Sequence, residues 1–459
     1  MVQAAQTIRI VCTNDFLASL SPMRTSYGSL PGGEGLKRAV DRLRQGRPTL
    51  WADAGDFSQG GPLSVTSGGV LNFRAASELG IDVATVGNHE FDWGTAHLAE
   101  HAAALGFPVI CANADVGFPP SALIRTEAGP VGFVGLTHPD VDMFSPYAPR
   151  TNPDLATIVP EHANRLRSDG AVAVVVLLHF GVHWSTSASG EHRPDPGPLA
   201  ELCAPFLSAV DAVVAGHTLG HWAGHLDDTP SVQPWAFGAE LGIVELTPGQ
   251  ERDRAYLVPV EPGGRWTGAG RTDIDEAEER VVGAIADTLV VRDGADSPLA
   301  DYAARALRLA VGCDGAVVPV VGMHQPAVEG VMYEWPAGAV TEADLARFWP
   351  WTDDGTLVGD VGRAELQTIV GFEAPEPWLA WGADAATTIG SDRVLIAVPK
   401  DYVDWGTVQI DQLVGRQVAW RETPHRLRDA MRTALGAGGR RQPSSAREGN
   451  RPGRDTTSP

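Results

Sequence analysis

Thr49-Leu50-Trp51-Ala52-Asp53-Ala54-Gly55-Asp56 and, further on, Asp82-Val83-Ala84-Thr85-Val86-Gly87-Asn88-His89-Glu90-Phe91-Asp92 follow one plan. Each opens as a short apolar run of strand character and breaks off at a glycine flanked by carboxylate, carboxamide or imidazole groups. Three more strand-like runs, 8–13, 172–178 and 212–215, end the same way, at Asn14-Asp15, at His179 and at Gly216-His217. Helical spacing fills the intervals: 35–44 carries Leu36, Val40 and Leu43 on one face, followed by 70–79 and 95–104. Alternating strands and helices predict an α/β sandwich, two mixed sheets covered by helices. In open α/β sheets ligands gather at the carboxyl ends of strands, so five such ends bearing metal-type ligands predict a site.

Working outward, 108–112 is a further strand, and 122–127 with 131–136 reads as a hairpin about Ala128-Gly129-Pro130. Helices are expected near 154–167 and 199–208, and strands alone from 226 to 260. A stretch rich in glycine and charge, 248–275, reads as a linker. Beyond it come helices near 299–311 and 342–348 and strands at 316–320, 356–361 and 394–398. Residues 436–459, built of Gly, Arg, Ser and Pro, are expected to be a disordered tail. The expected division is 1–260, 261–435 and the tail.

Composition narrows the function. Of 459 residues 43% are hydrophobic, enough for sizeable cores, and no run approaches the ~18 apolar residues of a membrane span. A net charge of −22 would repel a phosphate backbone, which argues against a nucleic-acid partner. An anionic substrate would therefore need a local positive centre, such as a metal. Cys12, Cys111, Cys203 and Cys313 sit far apart in apolar segments without C-x-x-C spacing, as buried free thiols do. With no basic leader or long apolar segment before residue 8, the expected location is the cytoplasm.

Divalent ions that hydrolyse phosphate esters are held by carboxylate, imidazole and carboxamide groups, often with a carboxylate bridging two ions. The order of such groups here resembles the calcineurin-like metallophosphoesterases, and more closely the two-domain 5'-nucleotidase family. The motifs are Thr13-Asn14-Asp15-Phe16-Leu17, Asp53-Ala54-Gly55-Asp56, Gly87 to Asp92, His179-Phe180-Gly181 and Gly216-His217-Thr218-Leu219. The resemblance implies a four-layer αββα sandwich over 1–260 and a smaller α/β nucleotidase-type domain over 261–435. It implies that Asp56 bridges two ions and that Asn88, His179 and His217 complete one position with it. His89 would then donate to the phosphoryl oxygens or the leaving group, with Asp92 orienting its ring.

The other metal position departs from the family pattern. Asp15 is present, but Leu17 stands where the family has His, and Leu219 where it has His or Gln. Leucine offers no lone pair, so the resemblance implies one divalent ion per chain, zinc, manganese or similar. His221, His183 and His192 are candidate substitutes or ordinary loop histidines. In the second domain the family's anion-binding Arg corresponds to His324, and its P-F-G-N segment to Pro350-Trp351-Thr352-Asp353. Its N-D-F segment corresponds to Lys400-Asp401-Tyr402. Trp351 and Tyr402 are two rings suited to stacking a base or to a core, and Asp353 keeps an acceptor but lacks an amide donor. The expected function is hydrolysis of a nucleotide or similar small phosphomonoester. The alternatives are a binding or regulatory protein that kept the fold, and a hydrolase redirected to another ester.

Overall fold

The computed structural model describes residues 6–25, 28–145, 147–186, 192–218, 220–249, 253–292, 297–321, 331–349, 355–372, 379–386, 392–400 and 405–438. Strands β1 (Ile8–Thr13), β2 (Thr49–Asp53), β3 (Val83–Thr85) and β4 (Val109–Ile110) pair in parallel as four strands of a first, six-stranded sheet. The chain then builds a second sheet from β5 (Ser121–Thr126), β6 (Gly129–Leu136), β7 (Ala173–Leu178), β8 (Ala212–Ala215), β9 (Trp222–Leu226) and β10 (Thr229–Gln233). Its order is β9-β10-β8-β7-β6-β5. It returns to the first sheet through β11 (Glu240–Leu246) and β12 (Arg254–Pro259), giving the order β12-β11-β1-β2-β3-β4.

Period-two alternation sets the layers. Ile8, Ile10, Cys12, Leu50 and Ala52 of the first sheet share one buried cluster with Phe133, Val175, Leu177 and Val214 of the second. The intervening residues face outward under helices. Val11, Trp51 and Ala84 meet α1 (Gly32–Leu43), α2 (Val70–Leu79) and α3 (Thr95–Ala102). Val134, Val174, Val176 and Val213 meet α4 (Leu155–Ser168) and α5 (Gly197–Cys203). Two sheets face to face with helices outside form the four-layer sandwich.

The smaller second unit has α6 (Arg271–Glu279) and α7 (Pro298–Val311), and a five-stranded sheet from β13 (Gly315–Val321), β14 (Thr356–Gly362), β15 (Leu379–Ala385), β16 (Arg393–Pro399) and β17 (Trp420–Thr423). The sheet order is β15-β13-β16-β14-β17, and α8 (Leu427–Gly438) closes the described chain. One buried cluster crosses between the units: Leu17, Leu30, Ala236 and Phe237 of the first join Leu299, Ala303, Trp335 and Met431 of the second.

The supposed linker 248–275 is in part regular structure, because it contains β12 and the start of α6. The expectation of strands to 260 holds there, and the alternation is two-faced: Ala255 and Leu257 pack toward the sheet–sheet layer, Tyr256 and Val258 toward the helices. The expected helix 199–208 is divided into α5 and a 3-10 turn at Leu207–Ala209, and α1 starts at Gly32 rather than at 35. Helix α8 runs three residues into the expected tail, whose remainder from 439 lies outside the described residues. All four cysteines are buried and free. Among the described residues no helix is long and apolar enough to cross a membrane.

Candidate metal centre

The predicted ligands leave the carboxyl ends of adjacent strands: Asp15 after β1, Asp56 after β2, Asn88 after β3, His179 after β7 and His217 after β8. Three of them are held in the left-handed region, with φ of 47° at Asp15, 59° at Asp56 and 77° at His217. Such backbone costs about 1–3 kcal/mol each and persists only where surrounding structure enforces it. The enforcing bonds are visible: Asp15 N–H donates to Gly55 O and Leu17 N–H to Asp56 O, both at 2.9 Å. A side chain at Gly87 would collide with the Asp56 carboxylate, which explains the glycine there.

One ligand atom each from Asp56, His179 and His217 lies within 4.8 Å of the others. Asp56 Oδ2 is 3.0 Å from His179 Nε2. Asn88 Oδ1 joins them, 3.2 Å from His179 Nε2 and 2.9 Å from His217 Nδ1. His179 Nδ1 lies 2.7 Å from Ala54 O, and since that carbonyl can only accept, Nδ1 carries the proton. A neutral His179 therefore presents the lone pair of Nε2 to two oxygens that are themselves acceptors. That face needs either an extra proton or a cation, and these donor types suit a divalent ion. Asn88 Nδ2, which no metal would use, is buried without a hydrogen-bond partner among the described residues.

Without a cation, protons carry the balance. Burial opposes the charge on His179, but Asp56 outweighs it and raises the imidazole to about 10. Burial would likewise push Asp56 up, yet His179 and His89 hold it below the usual carboxylate range. Burial, then the charge on His179, keep His217 well below an ordinary histidine. A cation bound here would compete with the His179 proton.

His89 is 6% exposed, its Nδ1 2.9 Å from Asp92 Oδ2 and its Nε2 4.0 Å from Asp56 Oδ2. Burial works against its charge, but Asp56 and Asp92 lift it to about 9. Between them in sequence lies Glu90, a site residue that motif reading passed over. Its buried carboxylate accepts from the backbone N–H groups of Asp56, Phe57, Ser58 and Gly87 and from the Ser58 hydroxyl, at 2.7–3.0 Å. Burial, then Asp56, raise it, while the Gly87, Ser58 and Asp56 donors oppose. Glu90 thus ties the two ligand loops together. Its only signal in the sequence is an acidic residue inside a cluster of site residues.

Asp15 lies at the same end, 1% exposed, its Oδ2 accepting from Asn14 Nδ2 at 2.6 Å and from His217 N–H at 2.7 Å. Burial raises it to about 6, His179 opposing and Asp56 adding to the shift. Leu17 is 3% exposed and belongs to the cluster shared between the two units. Leu219 lies outside the described residues, as do His324, Trp351, Asp353 and Tyr402. His221 is engaged elsewhere: its Nδ1 is 2.9 Å from Glu240 Oε2, and its ring lies on Trp235. His183 is an exposed residue of a two-stranded ribbon with His192–Asp195.

One further imidazole went unnoticed in the sequence. His138, two residues past β6, has its ring centroid 4.6 Å from that of His217, with Phe144 lying 4.7 Å from both. The signal that would have found it is the rule already used for His179 and His217, a histidine just beyond an apolar strand.

The calcineurin-like phosphoesterase family matches residues 8–221. The 2',3'-cyclic-nucleotide 2'-phosphodiesterase/3'-nucleotidase of Salmonella typhimurium is 24% identical over 375 residues, covering 71% of this chain and 57% of that protein. The first curated relatives are matched over only 18% to 57% of their own length. Among solved structures, the 5'-nucleotidase precursor of Thermus thermophilus superimposes with a TM-score of 0.68 at 18% identity, covering 94% of this chain and 96% of that one. The sulfate thiohydrolase SoxB from Thermus thermophilus gives 0.67 at 15% identity, covering 96% and 95%. Residues 8–221 thus match the calcineurin-like phosphoesterase domain, and the chain as a whole carries the fold of the 5'-nucleotidase structures.

Proposed function

We propose that the chain is a metal-dependent hydrolase of small phosphomonoesters, nucleotides foremost, working with one complete metal position. The observation that carries this reading is the convergence of Asp56, Asn88, His179 and His217 with His89 beside them. The nucleotide class is supported by the activity for which the Salmonella relative is named. Those four residues would hold zinc, manganese or a similar ion, which when bound lowers the pKa of water and polarises a phosphoryl oxygen.

The chain's own residues supply the rest. Asp92 accepts from His89 Nδ1, which turns His89 Nε2 toward the side of the Asp56 carboxylate. There it stabilises charge on a phosphoryl oxygen or hands a proton to the departing alkoxide. Glu90 fixes the loop that carries Asp56 against the one that carries Asn88.

A second reading, a binding protein that kept the fold without turnover, draws support from Leu17, packed into an apolar cluster where a ligand would be needed for another ion. A redirected ester hydrolase draws support only from the shared fold. Metal content per chain measured alongside a panel of phosphomonoesters separates these readings. One ion with turnover is the expected result. One ion without turnover on any ester would leave the binding protein, and turnover confined to a sulfur ester would leave the redirected enzyme.

A further inference from the structure

We propose that His138 is a substrate-contacting residue whose Nε2–H donates to an oxygen of the phosphoryl group held at the centre. This rests on the hydrolase reading above. Strand register places the residue: β6 and β7 pair in parallel with Leu136 opposite Leu178, and β7 and β8 with Leu178 opposite Ala215. Two residues beyond those pairs stand His138, Phe180 and His217, one row across three adjacent strand ends. His138 and His217 lie on either side of Phe180 in that row, and the ring centroids of His138 and Phe180 are 5.3 Å apart. His217 in turn touches Asn88 Oδ1 at 2.9 Å, so His138 borders the ligand set directly.

The hydrogen bonding fixes which nitrogen is available. Asp140 N–H donates to His138 Nδ1 at 3.0 Å, so Nδ1 is an acceptor and the proton of the neutral ring sits on Nε2. Phe144 stands edge-on to the His138 ring and holds it in place. His138 is only 6% exposed, yet among the described residues no protein acceptor meets Nε2. A nearly buried N–H with no acceptor among the described residues, beside a cluster of metal-type ligands, is set to meet an oxygen that arrives with the substrate. A purely local role is the rival explanation, because the Asp140 contact and the Val141 N–H bond to His138 O also shape the turn.

Two substitutions separate these roles. His138→Asn keeps an acceptor where Nδ1 was and removes the reach of Nε2, whereas His138→Gln keeps a donor near Nε2 and gives up the turn contact. The measurements are bound metal, phosphomonoester kinetics, and the affinity of the metal-loaded protein for tungstate, a tetrahedral oxyanion. The expected result for His138→Asn is unchanged metal content, a fall in kcat of about 10²-fold and tungstate binding weaker by about tenfold. His138→Gln should recover most of both. If His138→Asn binds tungstate as tightly as the parent, or if only His138→Gln is impaired, the residue is a turn anchor and the assignment is overturned. If the parent binds tungstate but hydrolyses nothing, the hydrolase reading falls alone, and the tungstate comparison still decides the donor. If the metal-loaded parent binds no tungstate, both fall.

Discussion

The two flanks of Asp56 are built from the same materials and have opposite character. On one side Asn88, His179 and His217 bring lone pairs together within hydrogen-bonding distance. On the other side Asp15 stands as the one remaining ligand type, its oxygen already engaged by Asn14 and by the His217 backbone. The next candidate position, Leu17, is part of the apolar cluster that joins the two units. Both flanks carry left-handed backbone, at Asp15 and Leu17 as well as at Asp56 and His217. The left-handed backbone at Leu17 therefore carries a packing side chain, whereas that at Asp56 and His217 carries ligand-type groups. Burying a leucine side chain contributes about 1.5–3 kcal/mol, so Leu17 adds to cohesion between the units.

The largest effect should follow from breaking what the flanks share. Asp56→Asn removes the charge that faces both His179 and His89. The variant should lose stoichiometric metal, and turnover should fall on the order of 10³-fold or more. Retained metal with retained turnover would mean that the two flanks do not meet at Asp56.

His89→Ala tests the complete flank without touching its ligands. Turnover should drop about 10²–10³-fold while metal content stays at the parent value. Loss of metal in step with activity would make His89 a ligand rather than a donor.

The altered flank can be pushed the other way. Leu17→His combined with Leu219→His restores two lone pairs, and the variant should take up a second ion, measured by metal analysis. In metal-free buffer it should be less stable by about 1–3 kcal/mol, because an imidazole replaces leucine in an apolar cluster. A folded variant that takes up no second ion would show that position 17 now points away from Asp15.

The smallest effect belongs to a control at the other end of the same strand. Arg9, on β1, and Arg47 both donate to Glu245 Oε1, at 3.0 and 2.6 Å. Burial alone would raise Glu245, but the hydrogen bond from Arg9 and the charges of Arg47 and Arg9 hold it below an ordinary glutamate. A lowered folded-state value means the contribution is full above the unfolded-state pKa and disappears as pH falls through the folded one. Glu245→Gln should therefore cost about 0.5–1 kcal/mol near neutral pH, shrink to nothing in acid, and leave turnover unchanged. A loss of turnover here would show that the effects at the centre report general destabilisation.

Much of this was legible because it is local. Short apolar runs announced β1, β2, β7 and β8, and an Asp, Asn or His just beyond marked where each stops. A strand end with a ligand-type side chain is a short-range pattern, so the set Asp15, Asp56, Asn88, His179 and His217 could be named from the chain. One misreading came from composition: glycine and charge marked 248–275 as a linker, although it holds the strand at 254–259 and the start of α6.

By itself, then, the sequence determined the layer order, since which residues are apolar at period two or at helical spacing is written in the chain. It also determined the types of group at each strand end. Only the tertiary structure decided which of those groups meet. The pairing of Leu136 with Leu178 and of Leu178 with Ala215 brings His138 beside His217, although 79 residues separate them in the chain. The fold of one unit on the other likewise put Leu17 in company with Leu299 and Trp335. Register and packing are long-range: each depends on many side chains at once, and no single motif carries that information.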